Sequence, residues 1–450
     1  MTLNLNNFNK YQIFTLIIFL NLIIRSIFFI TLDESVLQFS DQIKYLNIAE
    51  KLLNEFTFND PHLIARAPIY PLFIFFVRLI FDNFFFVILV QHLIGILSIF
   101  LVYNTCKLIN KNLSLLTTLF YSINLNVILY QNLLLTEAIF VNVFIGSIYF
   151  LLKFLKYQKI KFLIYLSLSL AISALIRPQM YYFYIIIFLI IFFLINNNFK
   201  EKIKFFLIFI FIFKSCLFIW EYRNYKVHGN YFFVIVKEAN LVGYYLPFFD
   251  QHEFKLNLED AKNLRVKKYN KYIENLNNKE INNTKHISEL LLREKIVVKY
   301  AIEELFKYKI STFLQVNIFG SLKTILAPTF IDIGYFYKLK KNSFSFTKGN
   351  SFIEQSKNFI NDVYNNETSY FIFFVLSLLL ILVTRLVQLY GFIIYFKKNP
   401  KISIIIVLII SFYLILLGPL GAPKYRIPFE LFFSYYLSYG LLNIIKILKK

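Results

Sequence analysis

Long apolar segments separated by short polar turns make up most of the chain. Because a hydrocarbon core about 30 Å thick is crossed by about 20 helical residues, each apolar segment of that length predicts a transmembrane helix. The first such segment follows Lys10 and lacks a small-x-small cleavage site, so we expect an uncleaved anchor. The ten predicted spans are 13–31, 84–106, 113–131, 136–154, 160–176, 179–195, 203–220, 370–396, 402–420 and 428–446.

Two further apolar segments, 69–82 and 311–327, are predicted to lie along the outer membrane surface. Arg78 and Asp82 interrupt the first segment, and almost nothing separates it from the next span. Counting it as a span would also invert every later loop. The pattern therefore predicts an all-α polytopic membrane protein with about ten transmembrane helices (9–13), outer juxtamembrane helices and an extracytoplasmic, mostly helical domain.

The long polar stretches divide the chain into three predicted parts. Residues 1–220 form an N-terminal transmembrane module that includes a first outer loop at 32–83. Residues 221–369 form an extracytoplasmic domain, and residues 370–450 form a C-terminal transmembrane module. Within the domain, the stretch 254–309 is predicted to be mostly helical, with Asn-rich breaks near 277–284.

Composition and charge agree with this topology. Hydrophobic residues make up 58% of the chain and charged residues 16%, whereas soluble domains carry roughly a quarter of charged residues. The net charge of +22 falls largely in short loops that the topology places on one side, as the positive-inside rule requires, so nucleic acid is not an expected partner. These loops contain Lys107, Lys111, Lys153, Lys156, Lys159, Lys161, Lys200, Lys202, Lys204, Lys397, Lys398 and Lys401, and Lys446, Lys449 and Lys450 follow the last span.

Arginines and carboxylates meet at the predicted outer boundary of the bundle. Arginine binds phosphate oxygens bidentately, and a nearby carboxylate can act as a general base. Each residue also has a structural interpretation, as a helix cap, a snorkelling side chain or a turn-stabilising ion pair. The candidates are Asp33, Glu34, Asp41, Arg66, Glu137, Arg177, Arg223 and Arg426. No spacing of histidines or cysteines predicts a metal site, and Cys106 and Cys216 are not expected to form a disulfide.

Several motifs at this boundary resemble the GT-C glycosyltransferases, in particular the dolichyl-phosphate-mannose protein mannosyltransferases and the bacterial aminoarabinose transferases. In the family's order along the chain they are Asp41-Gln42-Ile43-Lys44-Tyr45, Arg66-Ala67-Pro68-Ile69-Tyr70-Pro71, Leu135-Thr136-Glu137, Leu175-Ile176-Arg177-Pro178, Arg223-Asn224-Tyr225 and Tyr425-Arg426-Ile427-Pro428. The family usually has Asp-Glu in the first motif, whereas here Gln42 follows Asp41. The Asp33–Glu34 pair therefore stays open as an alternative base, with Asp41 preferred.

This resemblance implies transfer of a sugar from a polyprenyl-phosphate donor to an acceptor hydroxyl, with inversion and without a metal or other cofactor. Asp41 would be the base, and the substrate-binding residues would be Arg66, Tyr70, Glu137, Arg177, Arg223 and Arg426. We expect a multi-pass protein of the bacterial inner membrane with its site facing outside. Its partners would be membrane lipid, the lipid-linked sugar and an acceptor glycan, lipid or protein.

Two other functions stay open at this point. A transporter or flippase of a lipid-linked or polar solute would place ionisable residues near the membrane midplane, often in two related halves. This chain has no internal repeat, and its candidate residues lie at the outer edge. A non-catalytic envelope assembly protein is the second alternative.

Overall fold

The structure is a computed structural model that describes residues 9–31, 41–57, 60–276, 287–337, 347, 349, 352–366 and 368–449. These residues form helices and connecting turns, with no β-strand among them. The predicted all-α class is therefore confirmed. The Asn-rich break near 277–284 and the acids Asp33 and Glu34 lie outside the described residues.

The α-helices are named here in chain order. They are α1 Lys10–Ile30, α2 Asp41–Glu55, α3 Ile69–Ile80, α4 Phe84–Ile109, α5 Ser114–Ser122, α6 Leu125–Gln131, α7 Glu137–Tyr157, α8 Ile160–Ile176, α9 Tyr184–Leu189, α10 Phe199–His228, α11 Lys237–Asn240, α12 Leu246–Phe254, α13 Leu258–Asn275, α14 Ile287–Leu305, α15 Ile310–Leu326, α16 Phe330–Phe336, α17 Phe352–Asn366, α18 Thr368–Lys398, α19 Pro400–Leu417 and α20 Glu430–Leu448. Short 3₁₀ turns occur at Pro61–Ala65, Pro178–Phe183 and Pro423–Phe429, and π turns at Ile190–Leu194 and Leu241–Tyr245.

Seven helical segments within the described part are long and apolar enough to cross a membrane. They are α1, α4, α7, α10, α18, α19 and α20 with its preceding 3₁₀ turn, and each coincides with a predicted span. Shorter apolar helices at Ile160–Ile176 and Pro178–Leu194 occupy two more predicted spans. The prediction of a multi-pass membrane protein is confirmed.

Two predicted spans are not the continuous helices that their hydropathy indicates. The segment 113–131 breaks into α5 and α6 at Asn124, whose side-chain oxygen accepts hydrogen bonds from two backbone N–H groups of the next helix. Its amide also donates to Glu430, 2.9 Å away, so a tertiary contact supports the break. The segment 179–195 begins as a 3₁₀ turn at Pro178 and ends as a π turn. A Pro at the first helical position needs no N–H partner.

One contiguous core joins the membrane helices. α7 packs against α4 and α8, α8 packs against α10, and α20 packs against α5 and α18. The contact between α18 and α20 needs two glycines: a Cβ on Gly391 would lie 2.1 Å from the Tyr436 carbonyl oxygen, and one on Gly440 2.3 Å from that of Val387. Small residues that allow such close approach are typical of membrane helix pairs.

The stretch 221–369 contains two structurally different parts. Helices α11 to α14 surround a small core of their own, centred on Val242, Leu246, Tyr269, Val297 and Tyr300. α15 packs on α12 of this domain, but also on the turn Pro423–Phe429 and on α18 and α19, and Ile333 and Phe336 of α16 pack on the main core. Part of the predicted outer domain therefore closes one end of the helix bundle.

Candidate active site

The first ion pair of the site joins the beginning of α2 to the turn before α3. Asp41 is in the first turn of α2, where the helix dipole favours a carboxylate. Arg66 ends the 3₁₀ turn Pro61–Ala65, and its guanidinium lies 2.9 Å from the Asp41 carboxylate. The Asp41 side chain is 47% exposed and that of Arg66 14% exposed. This carboxylate is accessible to a substrate.

The second ion pair lies at the ends of α7 and α8. These helices form an antiparallel pair joined by a short turn, so the beginning of α7 meets the end of α8. Glu137 and Arg177 approach to 3.2 Å there, and their side chains are only 5% and 8% exposed. The Arg177 guanidinium also covers the Phe140 ring at 5.2 Å. Unlike the Asp41 carboxylate, the Glu137 carboxylate is buried and paired with Arg177.

Both ion pairs surround one tyrosine. Tyr45 lies one helical turn after Asp41, and the Arg66 guanidinium covers its ring at 5.4 Å. The pKa of Tyr45 is raised to about 12, chiefly by burial. The charges of Asp41 and Glu137 also raise it, and those of Arg66 and Arg177 lower it. We call these five residues the Tyr45 cluster; four of them are predicted site residues from four separate motifs.

A lysine that the sequence analysis did not select lies beside the Tyr45 cluster. Lys424 lies in the turn Pro423–Phe429, and its ammonium interacts electrostatically with Asp41 and Glu137. The sequence feature that could have identified Lys424 is its position two residues before Arg426, in the same Pro-bounded turn.

Asp332 on α16 is a second residue that the sequence analysis missed. It accepts a 2.7 Å hydrogen bond from the Tyr130 hydroxyl. Burial raises its pKa to about 6, while the Tyr130 hydrogen bond and the charges of Lys424 and Arg426 oppose that shift. An acid between two isoleucines was the only sequence signal.

Polar side chains of α2 and α4 fix the turn that leads to Glu137. Gln91 donates to the backbone oxygens of residues 131 and 133, and Gln42 accepts from the Leu134 N–H. Gln42 therefore contacts the turn before Glu137, although it is adjacent to Asp41 in the sequence. The predicted substrate residue Tyr70 is fully buried, donates to Gln91 at 2.8 Å and packs edge-on against Tyr45. In this position Tyr70 supports the Tyr45 ring.

Arg426 is buried and bound within the protein. Its Nε donates to Glu430 at 2.6 Å, and its Nη1 donates to the backbone oxygen of Ala327 at 2.8 Å, just after α15. Further hydrogen bonds go to the oxygens of residues 324, 325 and 329. This geometry matches the structural interpretation, in which Arg426 stabilises its own turn, and contact with a donor phosphate stays a prediction.

Arg223 lies near the end of α10. Its guanidinium donates to Asn224 at 2.9 Å and lies 4.9 Å from the Trp220 ring. Its predicted role in binding substrate stays a prediction, as does that of Asp33 and Glu34. Within the described part of the chain, no group of three or more His, Cys, Asp or Glu side chains could hold a metal ion.

Part of this chain matches a known protein family. Residues 65–220 match the family model described as dolichyl-phosphate-mannose-protein mannosyltransferase. This segment contains Arg66, Glu137 and Arg177. The match confirms the resemblance predicted from the motifs and indicates a glycosyltransferase as the class of enzyme. No curated protein matches the chain.

One solved structure is similar in fold. It is the oligosaccharyltransferase AglB from Archaeoglobus fulgidus, in complex with an inhibitory peptide and a dolichol-phosphate. The two are 12% identical with a TM-score of 0.48, over 90% of this chain. This chain spans 46% of the length of that protein.

Proposed function

We propose that the protein is a membrane glycosyltransferase that moves a sugar from a polyprenyl-phosphate donor to an acceptor hydroxyl. The observation that carries the proposal is the Tyr45 cluster, where an accessible carboxylate lies among fixed cations. The family match over residues 65–220 supports the same reaction class.

Asp41 is the general base of this proposal. A base must reach the proton that it removes, and about half of the Asp41 side chain is exposed, against 5% of that of Glu137. Glu137 then orients Arg177 and balances its charge.

Arg66, Arg177 and Lys424 supply the charge that a phosphate requires. Against Asp41 and Glu137 they leave one excess positive charge. The contact of Nη2 with Asp41 holds the Arg66 guanidinium in place, so its charge is fixed where a phosphate would bind. Fixed cations where negative charge develops stabilise a transition state.

The proposed reaction is a single displacement. The acceptor oxygen attacks the anomeric carbon and gives its proton to Asp41, while the bond from that carbon to the phosphate oxygen breaks. The polyprenyl phosphate leaves as a stable anion, so no second acid is required. One displacement inverts the configuration at the anomeric carbon.

We propose that the cluster faces outside the cell, in a bacterial inner membrane. The one-sided Lys loops support this orientation. The test is labelling of intact cells with a membrane-impermeant thiol reagent after Cys106 and Cys216 are replaced. Lys271→Cys on the exposed side of α13 should react, and Lys159→Cys between α7 and α8 should react only after lysis. The reverse pattern would refute the orientation.

The reaction is tested by Asp41→Asn in purified protein. The donor is the lipid-linked sugar fraction from a strain that lacks the protein, and the acceptor is its envelope glycan. Asn keeps the shape but cannot take the proton, so turnover should fall about 10²–10⁴-fold. Asp82→Asn is the matched control, because Asp82 also pairs with an arginine of the first loop, at 2.7 Å, yet is 94% exposed.

Two results would change the proposal. Normal turnover in Asp41→Asn with loss in Asp33→Asn or Glu34→Gln would move the base to that pair. Arg66→Lys keeps the charge but loses the planar fork, so it should raise the donor KM, and Arg66→Ala should raise it further. An unchanged donor KM in Arg66→Ala would remove Arg66 from the phosphate site.

A further inference from the structure

A cavity of about 680 Å³ lies between α12, α15, the beginning of α17 and the segment that follows α19. Its volume is within the range of about 300–1,000 Å³ that small-molecule sites occupy. No residue of the Tyr45 cluster lines it.

The walls of this cavity combine side-chain amides with aromatic rings. The amides are those of Gln251, Gln315 and Gln355, and the rings are those of Phe248 and Phe319. An amide offers two donors and one acceptor oxygen, a combination that matches neighbouring sugar hydroxyls. An aromatic face covers the apolar C–H face of a sugar ring. Gln355 donates to the backbone oxygen of Thr347, which fixes its orientation.

The polar side chains of the cavity disfavour a purely hydrocarbon ligand. Covering polar amides with hydrocarbon costs free energy unless each finds a hydrogen bond. The amides, His252, two lysines and one glutamate lie beside Val316, Ile353 and Pro419, so the lining suits a ligand that has both hydroxyl groups and an apolar face.

Two elements that line the cavity also lead to the residues beside the Tyr45 cluster. Lys323 on α15 lines the cavity, and four residues later, about 6 Å along a helix axis, the backbone oxygen of Ala327 binds Arg426. Pro419 also lines the cavity, and the same segment of chain continues to Lys424. A ligand in the cavity therefore contacts α15 and the segment of chain that leads to Lys424.

We infer that this cavity binds the carbohydrate part of the acceptor. The inference rests on the proposed function, and it narrows the acceptor from any hydroxyl compound to a glycan or a glycan-bearing lipid. The amides hold sugar hydroxyls, and the two rings cover its apolar face.

The test uses water-soluble oligosaccharides released from the envelope of a strain that lacks the protein. Their binding to the purified protein is measured by saturation-transfer NMR, which requires no turnover. Gln315→Trp fills the cavity and should weaken binding at least tenfold. Leu314→Trp adds the same ring to the same helix at a residue that does not line the cavity, and it should bind as the wild type does.

The outcomes separate this inference from the proposed function. Equal binding by Gln315→Trp and wild type, or no binding by the wild type, would overturn the acceptor cavity. In the transfer assay, Gln315→Trp should raise the KM for the acceptor fraction and leave the donor KM as it is. A wild-type protein that binds the oligosaccharides yet transfers no sugar would refute the proposed function and leave the cavity assignment standing.

Discussion

The two ion pairs of the Tyr45 cluster should differ in what is lost when the acid is neutralised: stability for Glu137 and activity for Asp41. Glu137→Gln leaves the Arg177 charge buried beside an uncharged amide, because both side chains are less than one-tenth exposed. Removing one partner of a buried pair costs about 3–5 kcal/mol. Asp41→Asn acts on a pair whose acid is 47% exposed, and such pairs contribute about 0–1 kcal/mol.

We expect one variant to lose mainly stability and the other to lose mainly activity. Glu137→Gln should lower the free energy of unfolding by about 3 kcal/mol. This value is at the lower end of the range for buried pairs, because the amide can still hydrogen-bond to Arg177. Asp41→Asn should change that free energy by less than about 1 kcal/mol and lower turnover about 10²–10⁴-fold. The measurements are denaturant unfolding in mixed micelles, followed by circular dichroism, and sugar transfer by the same preparations.

A double variant separates the ion pair from other effects of each change. Replacing a buried pair with apolar groups is often nearly neutral, so Glu137→Leu/Arg177→Met should be more stable than either single variant. The reasoning is refuted if Asp41→Asn destabilises the protein as much as Glu137→Gln does. It is equally refuted if Glu137→Gln is fully stable and inactive, because Glu137 would then act on the substrate.

Three further predictions concern stability. Arg265→Met should lower the free energy of unfolding of the small α11–α14 domain by at least about 3 kcal/mol, because fully buried Arg265 holds the equally buried Asp250 at 2.6 Å. Limited proteolysis at the Lys and Arg residues within α13 measures it. Since its pKa is raised to about 6 in the folded protein, Asp332 should make stability fall as pH rises from 4 to 6, and Asp332→Asn should flatten that unfolding profile. Gly391→Ala should cost about 1–3 kcal/mol, because its Cβ would lie 2.1 Å from the backbone oxygen of Tyr436, whereas Gly146→Ala, with open space around it, should be neutral in the same denaturant titration.

The membrane helices could be predicted from the sequence because hydrophobic length is a local property. The breaks could not, since the one at Asn124 depends on a contact with Glu430, about 300 positions away. The motifs likewise predicted which arginines and acids reach one boundary. They could not distinguish accessible Asp41 from buried Glu137, because exposure depends on how α2, α7 and α8 pack together.

The residues that the sequence analysis missed have a common cause. Lys424 and Asp332 join the site through α16 and the turn before α20, and both elements are placed by long-range packing. Arg426 illustrates the converse, because its motif indicated phosphate chemistry while its hydrogen bonds run to the end of α15. A motif fixes which groups come near a site, and packing decides which of them are already engaged.

The hydrogen bonds of Arg426 to the end of α15 have a thermodynamic consequence. The turn that carries Arg426 also carries Lys424, and α15 lines the cavity, so any displacement of this turn would reach both places. Coupling between two binding equilibria is reciprocal. If a donor analogue tightens oligosaccharide binding by some factor, the oligosaccharide must tighten binding of the analogue by that same factor, and order of addition becomes a property of the enzyme that titration can measure.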